Sequence, residues 1–219
     1  MNANRAWMAP LTGVAFVVIL IIAFAIGGWP EPADSSVDSI VNFYVDNKDS
    51  IVVGSFLSVL AGLMLIVFGA FLRRLLHDAG GEGEILSLVS FAGLVTVAIG
   101  LAIDGTILLA AAESAEDIDP AAVQALQALY DNDYLPIALG VAAFLWGTGL
   151  SAMQSGALPK WLAGLMILLG VIAFTPIGFV AAIGAGLLVL VLGVMLTMRM
   201  RSATDVSGAA PSSPRRPEA

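Results

Sequence analysis

The chain has 219 residues, 59% of them hydrophobic and 12% charged, with a net charge of −8. Soluble domains carry about 25% charged residues, so this composition, with a mean hydropathy of +0.95, excludes an ordinary water-soluble fold. No cysteine and a single histidine exclude disulfides, thiolate metal centres, a cysteine nucleophile and a bis-His haem within one chain.

Leu11 to Gly28 is the first apolar run, flanked by Trp7 and Trp29. The tryptophans stand about 33 Å apart on a helix, which suits two interfacial anchors. Ala23-Phe24-Ala25 resembles a signal-peptidase site, but an apolar run of about 17 residues exceeds a usual signal core. The segment is therefore expected to remain as a span over 11–29. Residues 31–50 are acidic, with Val37, Ile40, Val41 and Tyr44 at helical spacing and Ser35 or Ser36 as cap, and they predict a short amphipathic helix.

The second span is expected over 51–72, closed by Arg73 and Arg74. Gly54, Ser58 and Gly62 recur every fourth residue, a small-residue face that lets another helix approach closely. The stretch 77–84 predicts a flexible turn. A third span over 85–112 is interrupted only by Asp104, with Gly93 and Gly100 on the same helical face. A second acidic segment follows, in which Asp119-Pro120 predicts a helix start. Val123, Leu126, Leu129 and Tyr130 form one face of that second amphipathic helix.

The fourth span is expected over 134–154, with a stripe of Gly140, Ala143, Gly147, Ser151 and Gln154. It reads first as a helix-packing surface and second as the lining of a cleft. From Trp161 to Met198 no side chain is charged. These roughly 38 residues would make a helix of about 57 Å, against a bilayer core of about 30 Å. The run must therefore fold back, at Thr175-Pro176-Ile177-Gly178, to make spans over 161–176 and 178–198. Residues 202–219 read as a disordered cytoplasmic tail, which leaves 1–201 as one membrane domain.

The fold class is thus all-α: a six-transmembrane-helix bundle with two short amphipathic helices on the extracytoplasmic side. Of nine Lys and Arg, all but Lys48 fall at one side of this arrangement. The positive-inside rule makes that side, with both termini, cytoplasmic, in a multi-pass protein of the cell membrane.

Tyr130-Asp131 before a span, followed by Ser155-Gly156-Ala157-Leu158-Pro159-Lys160-Trp161-Leu162-Ala163-Gly164, resembles the bacterial multi-pass membrane family catalogued as domain of unknown function 4386. The resemblance implies six helices, membrane residence and a bacterial source. It brings no activity and no functional residue.

Asp104 is the sharpest candidate for chemistry, since charge within a span is costly and often functional. With Trp146, Thr148 and Ser151 it forms the candidate intramembrane polar site, able to hold a proton or a cation. Hydration of Asp104 in the headgroup region is the plainer alternative, because Ile85 to Ile103 alone is long enough to span. Gly54, Ser58, Gly62, Gly93, Gly100, Gly140 and Gly147 are the candidate helix-packing positions. His77 suits a helix C-terminus, and the methionines suit packing. No Walker-type, HExxH or Gly-x-Ser-x-Gly motif occurs.

The expected function is a non-catalytic, membrane-embedded binding or accessory protein. The alternatives are a small transporter or channel using Asp104, and, last, an intramembrane enzyme. No cofactor or metal is expected. The expected partners are the lipid bilayer and a small apolar ligand or another membrane protein, with no nucleic acid.

Overall fold

A computed structural model describes residues 7–79 and 84–208. Eight helices and no strand occur among them: α1 Leu11–Gly27, α2 Val37–Asp46, α3 Lys48–Asp78, α4 Glu84–Ser114, α5 Pro120–Asn132, α6 Leu135–Ser155, α7 Lys160–Ile172 and α8 Gly178–Gly208. Residues 1–6, residues 80–83 and residues 209–219, with Arg5, Arg215 and Arg216, lie outside the described residues; of the expected 77–84 turn, 77 and 78 belong to α3 and 84 to α4.

Four segments are long and apolar enough to cross a membrane: Lys48–Asp78, Glu84–Ser114, Pro120–Ser155 (which joins α5 to α6) and Gly178–Ser202. The other two apolar helices are shorter. α1 has 17 residues and α7 has 13, about 25 and 20 Å at 1.5 Å per residue. The uncharged run does reverse at Thr175-Pro176-Ile177-Gly178. There Thr175 N–H donates to Ile172 O at 2.9 Å and Gly178 N–H to Thr175 O at 2.8 Å. The helix before the turn stops at Ile172 rather than at 176, because Pro176 cannot supply a backbone donor. The last helix runs on to Gly208, past the boundary at 202 expected for the tail.

α1, α3, α4, α6, α7 and α8 alternate in direction. Gly54 of α3 meets Ala23 and Gly27 at the end of α1, and Gly105 of α4 meets Ser55 at the start of α3. Gly93 and Gly147 put α4 against α6, and Gly149 puts α6 against Ala163 of α7. The ring closes where Gly193 of α8 meets Pro10 and Val14 at the start of α1. The Arg201 guanidinium beside it lies 4.1 Å above the Trp7 ring.

This alternation gathers Arg73, Arg74, Lys160, Arg199 and Arg201 at one end of the bundle. α2, α5 and the acidic segments stand at the other. At the basic end Gly156 terminates α6 in the left-handed region, φ 70°, with its N–H on Ala152 O, a conformation glycine adopts without penalty. Leu158 is buried in the turn that follows, and Pro159 caps α7.

The helices approach closely because backbone meets backbone. A Cβ added at Gly93 would strike Phe144 N and the Gly140 carbonyl. One at Gly140 would lie 2.7 Å from Gly93 O and one at Gly147 2.5 Å from Ser90 N, while one at Gly100 would meet a side chain, 2.6 Å from Ile137 Cγ1. On α3 the expected single face is divided. Gly54 faces α1 and Gly62 faces Ala98 of α4, while Ser58 lines a small cavity near the acidic end.

Two hydrophobic clusters result. The larger runs through the bundle and includes Leu65, Phe68, Leu94, Phe144, Leu145 and Met166. The smaller lies at the acidic end, where Ile40 and Tyr44 of α2 and Val123 of α5 pack against Ile51, Ala111 and Ala112.

Candidate functional site at the acidic end

α2 begins at Ser36, whose hydroxyl accepts from Ser39 N–H at 3.3 Å, and α5 begins at Asp119, which accepts from Ala121 N–H at 2.8 Å. Each cap satisfies a donor that the first turn leaves free. The two helices then lock together through polar contacts. Burial, with Tyr130 and Asp131 adding to it, pushes the Tyr44 phenol above its ordinary value. Its hydroxyl donates to Gln127 Oε1 at 2.5 Å. Gln127 Nε2 in turn donates to Asp131 Oδ1 at 2.7 Å. Asp131 Oδ2 accepts from Ala33 N–H at 2.8 Å, and Gln124 Nε2 donates to Ala33 O at 2.9 Å. Both carboxylate oxygens of Asp131 are thereby used.

Beneath this layer lies Asp104. The side chain of Asp133, at the α5–α6 junction, comes within hydrogen-bonding reach of it, and Tyr130 stands beside both. Asp104 Oδ1 and Asp133 Oδ2 are buried and find no donor among the described residues. Two carboxylates offer acceptors only, so their meeting satisfies neither unless a proton or cation is present. The nearby Lys48 ammonium is taken by Glu113, at 3.4 Å.

Asp104 lines two cavities. One, of about 30 Å³, is bounded by the end of α1 (Phe24, Gly27, Gly28), by Gly54, Ser55 and Ser58 of α3, and by Tyr130. Ser55 is only 6% exposed, yet its hydroxyl has no partner. The other cavity, of about 380 Å³, is walled by α1, α3, α4, α6 and α8, and Asp104 is its one charged lining residue among those described. It shares Ile137, Val141 and Ala182 with a cleft of about 630 Å³ between α6 and the α7–α8 turn.

The structure does not bring Trp146, Thr148 and Ser151 to Asp104. Thr148 Oγ1 lies 2.7 Å from Ser90 Oγ, and Ser90 is fourteen residues, about 21 Å of helix, from Asp104. Trp146 Nε1 donates to Ile167 O at 3.2 Å, tying α6 to α7. Ser151 is fully buried with its hydroxyl unpartnered. Thr106 bonds to Ala102 O on its own helix. The residues that do converge on Asp104 are Asp133, Tyr130 and Ser55. Asp133 carried one signal, its position directly before a span, and Ser55 carried one, its place beside Gly54 on a close-packed face.

No family model, curated protein or solved structure matches the chain.

Proposed function

We propose that this is a multi-pass membrane protein, crossing the bilayer six times with both termini cytoplasmic. Its role is non-catalytic: it binds a small, mostly apolar molecule in the cavity below α5. The observation that carries this reading is the 380 Å³ space between α1 and α8. The two helices touch where Gly193 meets Pro10 and Val14 and part toward the acidic end. On that side Ile21, Ile183 and Leu187 line the cavity while remaining 63%, 61% and 56% exposed. An apolar guest can therefore enter sideways from lipid, and ligand sites of this kind are concave and largely apolar with few polar groups.

The five basic residues gathered at one end support this orientation. The two short helices fit the same scheme, since thinning of the bilayer and the interfacial residues Trp7, Trp29 and Trp161 accommodate a short span. The turn at Ser155–Gly164 and the paired outer segments fit the family resemblance as well.

Gly186 lines the cavity and has open space where a Cβ would stand. In Gly186→Phe the ring fills the cavity without striking backbone. Native mass spectrometry of the purified protein should show a retained lipid or apolar molecule in the wild type. The variant should lose it while remaining folded and monodisperse in detergent. Equal retention in both would refute the reading.

A further inference from the structure

We infer that Asp104, Ser55, Tyr130 and the carboxyl end of α1 form a binding site for one monovalent metal cation of about sodium size. Three independent features of the smaller cavity meet here. The first is the set of orphaned oxygens. The Ser55 hydroxyl, in a residue more than nine-tenths buried, and Asp104 Oδ1 have no partner, and both residues line the same space. An unpaired buried oxygen costs free energy that a resident occupant would offset.

The second is the end of α1. Gly28 leaves the helix at φ 74°, returning its N–H to Phe24 O, and beyond it the carbonyl of Gly27, which lines the cavity, lacks the donor that a continuing helix would provide. That end of a helix carries partial negative charge and favours a cation. Gly54 makes the approach possible, because a Cβ there would lie 2.9 Å from Ala23 O and 3.0 Å from Gly27 Cα.

The third is size and donor type. About 30 Å³ holds a single water-sized occupant. Carboxylate, hydroxyl and carbonyl oxygens are hard ligands. Calcium takes six to eight oxygens and magnesium retains several waters, and a space of this volume with Ala23, Phe24, Ile51, Leu101 and Leu108 in its walls does not supply them. One carboxylate lining the cavity matches one positive charge. Asp133 meets Asp104 from outside this space and is not among its lining residues. No basic residue lines the space, and Lys48 is engaged by Glu113. The site does not depend on the apolar guest proposed above.

The test uses the full chain in detergent at fixed pH and ionic strength, with sodium, potassium or choline chloride. Sodium should raise the melting temperature saturably while choline does not. Asp104→Asn should abolish the difference, and Ser55→Ala should weaken the apparent affinity about tenfold, the weight of one ligand contact. Saturable binding of radioactive sodium to the wild type gives a reading that needs no variant to fold. Identical melting in sodium and choline together with no saturable sodium binding would overturn the site. So would a sodium effect that survives Asp104→Asn. A stability that follows pH alone, indifferent to the cation, would assign the orphaned oxygens to a proton shared by Asp104 and Asp133 and would overturn it too.

Discussion

The seam between α4 and α6 and the acidic end beneath α5 solve the same problem in opposite ways. Along the seam polar atoms are few and mostly paired. Gly93, Gly140 and Gly147 let backbones touch, and Ser90 and Thr148 satisfy each other across the contact. At the acidic end the outer layer is as fully bonded, through Tyr44, Gln127 and Asp131. One layer deeper Asp104, Asp133 and Ser55 keep buried oxygens without a partner among the described residues. Helices associate in lipid by close packing and by occasional polar contacts. The acidic end departs from both.

The largest effect tests the seam. Gly93→Val places a branched side chain against the backbone of α6, and should cost about 3 kcal/mol or more, or prevent folding altogether. Thermal unfolding and monodispersity in detergent report it. A variant as stable as wild type would mean that α4 and α6 do not pack at this register.

A middle effect tests whether the outer layer is a separate unit. Asp131→Ala strands Ala33 N–H and Gln127 Nε2, at about 1.5–3 kcal/mol. Amide exchange should rise through α2 and α5 and stay unchanged in α4 and α6. Equal loosening of all four helices would erase the distinction between layer and bundle.

The smallest effect sharpens the contrast between paired and orphaned hydroxyls. Thr148→Val leaves Ser90 alone, and should cost about 0.6–2 kcal/mol. Ser151→Ala removes a hydroxyl that has no partner, and should change stability by less than about 0.5 kcal/mol. Equal losses would show that Ser151 has a partner of its own.

Much of the architecture was legible because it rests on length and charge. An uncharged run too long for one crossing had to reverse, and only Thr175–Gly178 offered a turn. Asp119-Pro120 and Ser36 announced two helix starts through local capping chemistry. The site was legible in one residue only. Asp104 stood out as the single charge in an apolar run, but its neighbours come from α1, α3 and the α5–α6 junction, and helical spacing carries no information across such separations. Gln127 illustrates a second blind spot. It occupies the buried face of α5 while Leu129 is 53% exposed, because a count of apolar positions passes over a glutamine whose amide is fully engaged. Thr148 and Trp146 looked like companions of Asp104, yet each is consumed in holding one helix to the next.

The contact between Gly193 and the Pro10–Val14 turn joins the earliest helix to the latest. A ribosome delivers α1 long before α8, so that flank of α1 stays uncovered by α8 while the rest of the chain is made. The wall supplied by Ala182, Ala185 and Val189 arrives last. The chamber it completes therefore belongs only to the finished chain.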